Sequence, residues 1–159
     1  MILMKIDGVD GTSKIKGHEK WIQCESVDWS IGRPMSQETG RTMDRTGTVA
    51  QANEIVITKL MDSSSTKLFE LTCGKEGKKV EIHFLSGAGA DAPTYSEWTL
   101  ENALISEYTV NGSSREDRAN ETIKLNFVTI EIKSIEKGPD DKAGSPYPVK
   151  FSRETGVLG

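Results

Sequence analysis

The residue types that most often do chemistry lie together in one stretch, GHEKWIQCESVDWSIG at residues 17–32. It contains one of the two histidines, His18, and one of the two cysteines, Cys24. A nucleophilic thiol would require Cys24 within hydrogen-bond reach of a base such as His18. Apolar residues instead alternate with polar ones over residues 20–31 and change parity near Glu25, which predicts an extended strand with a bulge. Cys24 is therefore expected to be a core residue, with no nucleophile-base pair.

Three other candidate motifs also favour structural roles. Cys73 has apolar neighbours, so a second buried free thiol is expected there. His83 alternates with the apolar residues of a predicted strand and is expected on its solvated face; with only two histidines in the chain, no metal site is predicted. GAGADA at residues 87–92 matches a dinucleotide-binding pattern, but Pro93 follows it and no helix opens there. No catalytic residue and no cofactor are predicted.

The composition argues against several classes of protein. With 159 residues and a mass of 17.5 kDa, the chain is most simply one domain, residues 1–159. A formal net charge of -4 and a pI near 5.3 argue against nucleic-acid binding, which needs a basic face. No apolar run approaches the roughly 18 residues of a membrane span. The opening MILMKIDG is interrupted by charges, unlike a signal peptide, so synthesis in the cytoplasm and no membrane partner are expected.

Most of the chain alternates with the period of a β-strand. The predicted strands lie at residues 2–6, 20–31, 54–61, 78–85, 97–110 and 121–136. The last two are long, and each is expected to bend. One bend is expected near Asn102 and the other where the apolar parity switches after Phe127.

One helix is predicted within residues 62–77, DSSSTKLFELTCGKEG. Its Ser and Asp residues are N-cap candidates, and Gly74 is expected to end it in a left-handed conformation. The side chains expected to form its apolar patch are Leu68, Phe69, Leu71 and Cys73. The fold class is thus mainly β: an antiparallel β-barrel or two-sheet sandwich with one short α-helix and a long extended loop at residues 32–53.

Three segments carry a likeness to a known family: HEKWIQC at residues 18–24, VITKLMDSSSTKL at 56–68 and EDRANETIKLNFVTIEI at 116–132. They resemble the His-Lys-Gly-Trp-Ile-Glu-Val, the Val-x-x-Thr-Lys-x-x-Asp-x-x-Ser-Pro-x-Leu and the closing strand of the haemolysin-coregulated proteins, Hcp. These form the inner tube of the bacterial type VI secretion system. The likeness covers about residues 2–150. The chain departs from the family in its ending, PVKFSRETGVLG, so whether this end adds a strand stays open.

The resemblance implies a structural subunit and not an enzyme. Members of the family associate into hexameric rings, which stack into a hollow tube whose lumen can hold effector proteins. The implied partners are further copies of the chain, the spike protein, the sheath and effectors, and the implied destination is the extracellular space or a target cell. In the family the long loop reaches adjacent subunits and rings. The residues expected at this subunit interface are Arg33, Pro34, Met35, Arg41, Met43, Arg45 and Val49.

Other interpretations stay open from the sequence. A monomeric β-sandwich binding module would concentrate aromatic residues on a solvated face. Aromatic residues make up only 6% of this chain, and Trp21, Trp29 and Trp98 lie within apolar strand patterns. A tube protein of a contractile phage tail would share the same geometry in a virion. The mass of the particle in solution would separate a ring from a monomeric module.

Overall fold

Alternating segments of the sequence form strands around a shared apolar core. The structure is a computed structural model that describes residues 1–34, 49–87, 89, 91–137 and 143–159. Its strands are β1 Ile2–Ile6, β2 Lys14–Ile15, β3 His18–Glu19, β4 Ile22–Cys24, β5 Ser26–Asp28, β6 Ile31–Gly32, β7 Gln51–Ala52, β8 Ile55–Leu60, β9 Lys78–Leu85, β10 Thr94–Asn111, β11 Asn120–Asn126, β12 Thr129–Lys137 and β13 Ala143–Ser152. One helix, α1, spans Ser65–Cys73 and lies between β8 and β9.

The strands pair antiparallel throughout the described residues. The main sheet runs in the order β4-β1-β9-β10-β11-β8-β5, and β12 joins it at β10 with β13 beyond. Its two end strands, β4 and β5, are separated in sequence by Glu25 alone, whose N–H donates to the Thr58 carbonyl of β8 at 2.8 Å. The sheet therefore curls back towards its own start. The predicted mainly β fold with one short helix is confirmed, in the form of packed antiparallel sheets.

The long strand β10 bends at its middle, as the sequence predicts. Asn102 has a left-handed backbone with φ 51°, and the register with β9 shifts between Leu100 and Ala103. The backbone of Gly77 lies so close to the Asn102 side chain that a Cβ atom there would overlap it. Glycine at residue 77 thus permits the bend.

The single strand predicted over residues 121–136 is instead two strands, separated by Phe127 and Val128. The Val128 N–H still donates to the Glu101 carbonyl at 3.2 Å, so β11 and β12 continue one register along β10. Across the interruption, burial changes from odd-numbered residues such as Ile123 to even-numbered ones such as Ile130. The predicted change of parity is confirmed, but it breaks the strand because β10 bends at the same level.

Helix α1 is shorter than the segment that predicts it and turns one short row of side chains to the core. Leu68 is fully buried, whereas Phe69 is 60% exposed and Cys73 is also exposed, so their predicted burial is wrong. Gly74 is extended, with φ -79° and ψ 166°, and the predicted left-handed cap is wrong too. Its N–H donates to the Leu71 carbonyl, which needs no positive φ. In the described ranges no helix is both long and apolar enough to cross a membrane.

Two apolar clusters lie on opposite faces of β1 and β9, because successive side chains of a strand alternate between faces. Met4 belongs to the larger cluster, which fills the space between the sheets and under α1. The smaller cluster contains Leu3, Trp21 and Leu85, with Ile15 of β2 packed against it. The hairpin of β2 and β3 therefore covers part of the outer face of the sheet.

Candidate functional site

The two histidines, distant in sequence, meet on the outer face of the sheet beside the β2-β3 hairpin. His18 Nε2 lies 2.8 Å from His83 Nδ1, which is a hydrogen bond between two imidazoles. The Trp21 ring lies 4.7 Å from the His18 ring and 4.5 Å from the His83 ring, measured between centroids. Burial lowers the pKa of His83 below its ordinary value. His83 lies on the face opposite Ile82, as predicted, but it is half-buried and not fully solvated, because Trp21 and the hairpin cover part of this face.

The cysteines lie apart from this histidine pair. Cys24 packs against the larger apolar cluster, and burial raises the pKa of its thiol to about 12, so it is protonated at neutral pH. The predicted packing of Cys24 against the core is confirmed, although part of its surface is exposed, whereas Cys73 is exposed at the end of α1. Within the described part of the chain, His, Cys, Asp and Glu side chains form no group of three that could hold a metal ion.

A charge network of four side chains, Lys59, Asp62, Tyr108 and Glu121, lies between β8, β10, β11 and the start of α1. The Lys59 and Glu121 side chains have no exposed surface, and Lys59 Nζ lies 2.7 Å from Glu121 Oε2. The same Nζ donates to Asp62 Oδ1 at 2.9 Å and to the Leu60 carbonyl at 2.7 Å. The second Glu121 oxygen accepts a hydrogen bond from the Tyr108 hydroxyl. All three donor positions of the ammonium are therefore used.

The charge network also fixes the first turn of α1. Asp62 Oδ1 accepts hydrogen bonds from the Ser64 N–H at 2.9 Å and from the Ser64 hydroxyl, while Ser65 Oγ accepts from the Asp62 N–H at 3.0 Å. Burial alone would raise the pKa of Asp62, but the hydrogen bonds from Ser64 and Lys59 outweigh it and hold that pKa below its ordinary value. Burial and the Glu121 carboxylate raise the pKa of Tyr108 to about 12. Asp62 is therefore ionised and the Tyr108 phenol neutral at neutral pH.

The sequence contained a signal for this network that motif analysis missed. Lys59 has the strand parity of buried Ile57, and Glu121 has the parity of buried Ile123. The two charged residues are directly paired across β8 and β11. Opposite charges on the apolar faces of two strands indicate a buried ion pair, because an unpaired charge there would be too costly to bury.

The predicted interface loop leaves and re-enters the fold through one short ladder, β6 with β7, which we call the connector root. Ile31 pairs with Ala52, Trp29 Nε1 donates to the Asn53 carbonyl at 3.0 Å, and Asn53 Nδ2 donates to Ser30 Oγ at 2.7 Å. Of the predicted interface residues, Arg33 and Pro34 follow the outgoing arm, and both are exposed. Val49 precedes the returning arm and is 57% exposed. The others lie outside the described residues: Met35, Arg41, Met43 and Arg45.

An exposed apolar region lies on β13, a strand that was left open in the sequence analysis. Tyr147 is 65% exposed and Val149 is 51% exposed, whereas Phe151 on the same strand face is buried. Their alternation in PYPVKF is the strand signal that could have located β13. The apolar face of this strand thus continues beyond the core.

Comparisons with known proteins agree with this geometry over nearly the whole chain. The family model described as "Type VI secretion system effector, Hcp" matches residues 3–133. Protein hcp1 of Pseudomonas aeruginosa is 30% identical over 152 residues, which are 94% of this chain and 91% of that protein. A solved structure of a type six secretion system protein superposes with a TM-score of 0.90 at 26% identity, covering 99% of this chain and 98% of its own.

The fold recurs in more distant relatives. The crystal structure of Hcp1 from Salmonella typhimurium has a TM-score of 0.77 at 19% identity, over 99% of this chain and 97% of its own. At that identity the likeness shows the fold alone. The family match at residues 3–133 includes the charge network and the connector root and ends before β13, and the Pseudomonas protein matches over 94% of the chain. The chain therefore belongs to the Hcp family of the type VI secretion system.

Proposed function

We propose that residues 1–159 form one Hcp-like domain that serves as a structural tube subunit, associating into hexameric rings that stack into a hollow tube. The observation that carries this proposal is the likeness to Hcp proteins over almost the full length, which includes the strands on both sides of the connector. The geometry supports a structural role, since the charged and sulfur-containing groups that are buried are held in partnered or apolar surroundings. Effector proteins would be carried in the lumen.

The connector is the proposed contact between subunits. Its two ends are held together at the connector root, so the intervening residues leave and return at one place on the surface. Val49 is exposed there although it is apolar. The proposed interface consists of Arg33, Pro34 and Val49 together with the undescribed Met35, Arg41, Met43 and Arg45. In such an interface methionines pack adaptably and arginines meet carboxylates of the next subunit.

The remaining partners follow from the same proposal. The tube would be loaded by effector proteins, tipped by the spike protein and propelled by the sheath. The chain would be synthesised in the cytoplasm and exported by this machinery, with no nucleic acid, membrane or cofactor taking part.

The first experiment is a mass measurement by light scattering behind a sizing column at micromolar concentration and moderate salt. A particle of six chains is expected, because a closed ring has a fixed copy number. A monomer under all these conditions would contradict the proposal and favour a binding module.

A second experiment tests the connector directly. Replacing residues 35–48 by a Gly-Ser linker keeps the connector root, so cooperative melting is expected to persist while ring or tube formation is lost. The point variant Val49→Arg should weaken assembly in the same direction. Its matched control is Val149→Arg, the same change at another exposed valine, which is 51% exposed on β13. Unchanged assembly of the linker variant would remove the connector from the interface.

A further inference from the structure

Among the described strands β13 pairs with β12 alone, and its outward backbone groups can be identified from that pairing. In an antiparallel ladder, alternate residues direct their N–H and C=O groups to opposite sides. The Lys150 carbonyl accepts from the Gly159 N–H at 3.0 Å, and the Ser152 N–H donates to the Val157 carbonyl at 3.2 Å. Both bonds lie on the side away from β12. Residues 146, 148, 150 and 152 therefore direct their backbone groups outward.

Two different features occupy this outward edge. Pro146 and Pro148 have the outward parity, and a proline has no N–H to donate. Further along, Leu158 forms a bridge to Phe151, so the closing residues run alongside the end of β13. We call residues 153–159 the β13 cap. The prolines thus remove two outward N–H donors, and the cap occupies the outward groups of Lys150 and Ser152.

The β13 cap is fastened on two sides. Arg153 donates its N–H to the Val128 carbonyl at 2.9 Å, and its guanidinium lies 5.2 Å from the centre of the Phe127 ring. Gly156 has φ 67° and donates its N–H to the Ser152 carbonyl at 2.8 Å. A Cβ atom on Gly156 would overlap the Val49 side chain. The cap thus sits between β13 and the connector root.

We propose that the β13 cap, with Pro146 and Pro148, is an edge guard that withholds β13 from strand addition. An uncapped edge strand offers free N–H and C=O groups to other chains, and exposed Tyr147 and Val149 would add apolar contact to that pairing. Copies of the chain consequently associate through side chains and not through a ladder on β13. The edge guard itself is inferred from one chain. Only its role in directing association rests on the proposed ring.

The guard can be opened in steps. Gly156→Val strains a left-handed position and displaces the cap from Val49, so the Ser152 and Gly159 amides should exchange with solvent roughly tenfold faster or more. Gly112→Val is the matched control, since a Cβ at Gly112 meets only ordinary van der Waals contact with Ala119. Gly159→Pro is a second variant that removes only the donor to the Lys150 carbonyl.

The decisive variant combines Pro146→Ala, Pro148→Ala and Gly156→Val, which restores two donors and lifts the cap. It is expected to form open-ended, concentration-dependent assemblies with an infrared signal of intermolecular β-sheet, while Pro146→Ala/Pro148→Ala alone keeps the association state of the parent. A triple variant that stays in the parental state would overturn the guard, as would Ser152 exchange that Gly156→Val leaves unchanged. Amide exchange is measured at concentrations where the chain is monomeric, so its result does not depend on ring formation. A parent that forms no ring would contradict the tube function but not the edge guard.

Discussion

The charge network and the histidine pair are both polar clusters in a β protein, but they differ in how well they are satisfied. In the network, the Lys59 ammonium has three oxygen partners, and both Glu121 oxygens are bonded. In the histidine pair, one hydrogen bond joins the two rings, and the buried His18 Nδ1 has no hydrogen-bond partner among the described residues. The charge network therefore satisfies the hydrogen bonds of Lys59 and Glu121, whereas the histidine pair leaves one ring nitrogen without a partner among the described residues.

This difference teaches what each cluster does for the fold. A complete buried network excludes every arrangement in which one of its charges lacks a partner, so it ties β8, β11 and the start of α1 to one geometry. The histidine pair is held mainly by Trp21 and by the smaller apolar cluster. Disrupting the network should therefore affect the whole domain. Changes in the histidine pair should affect the β2-β3 hairpin most.

The largest expected effect comes from removing one charge of the network. Lys59→Met should lower the free energy of unfolding by about 3–5 kcal/mol, because Glu121 and Asp62 stay buried without their cation. Chemical denaturation monitored by tryptophan fluorescence measures this. The double variant Lys59→Met/Glu121→Leu should recover most of the loss, since it removes both buried charges of that pair. A single variant as stable as the parent would show that the buried pair contributes nothing.

A smaller loss is expected when the network keeps its charges but loses one donor. Tyr108→Phe leaves Glu121 Oε1 without the phenol, which should lower the free energy of unfolding by about 1–3 kcal/mol. Tyr147→Phe is the matched control at a tyrosine that is 65% exposed. Its expected change is within about 0.5 kcal/mol. Equal effects of the two variants would contradict a special role for the Tyr108 hydroxyl.

The sequence predicted the network's strands but not the network. Alternation predicted strands over residues 54–61 and 121–136, and in the structure Lys59 shares the face of buried Ile57. Which charge would oppose it depends on strand register, a long-range property that local pattern does not contain. The partial burial of His83 was missed for a related reason. Its face is covered by Trp21, a residue that reaches it only through the folding of the β2-β3 hairpin.

The end of α1 and the proposed interface also could not be predicted from local sequence pattern. A glycine after a helix favours a left-handed cap, yet Gly74 meets the Leu71 carbonyl from an extended conformation. Propensity was overridden there by the path of the chain into β9. The interface residues were predicted through resemblance and not from local pattern. The contacts proposed for them are with a neighbouring subunit, so one chain's periodicity carries no information about them.

The pH dependence of stability should separate the two clusters into two windows. The folded pKa of His83 lies below 6.5 and that of Asp62 lies below 3.8, so the unfolded chain binds more protons in each window. Stability is therefore expected to fall as pH decreases below about 6.5, through His83, and again below about 3.8, through Asp62.

Urea midpoints measured between about pH 8 and about pH 3, a range that brackets the ordinary His and Asp pKa values, would test this. His83→Gln should reduce the loss of stability in the upper window alone, and Asp62→Asn should reduce it in the lower window alone; part of the lower loss should persist, because the pKa values of Glu81 and Glu107 are lowered as well. A His83→Gln variant that keeps the full loss of stability on acidification from neutral pH would assign the upper window to other groups.

The smallest expected effect comes from replacing the two cysteines. Cys24 lies beside the charge network, and Cys73 lies away from it. Cys24 packs in the larger apolar cluster, and the charges of Lys59 and Asp62 act on its thiol. Cys24→Ser puts a stronger hydrogen-bonding group into that apolar position, so a loss of about 1 kcal/mol is expected. Cys73→Ser, at an exposed position on α1, should change stability by less than about 0.5 kcal/mol. Thermal melting of both variants under reducing conditions gives the comparison, and a larger loss from Cys73→Ser would mean that the end of α1 is more tightly packed than its exposure indicates.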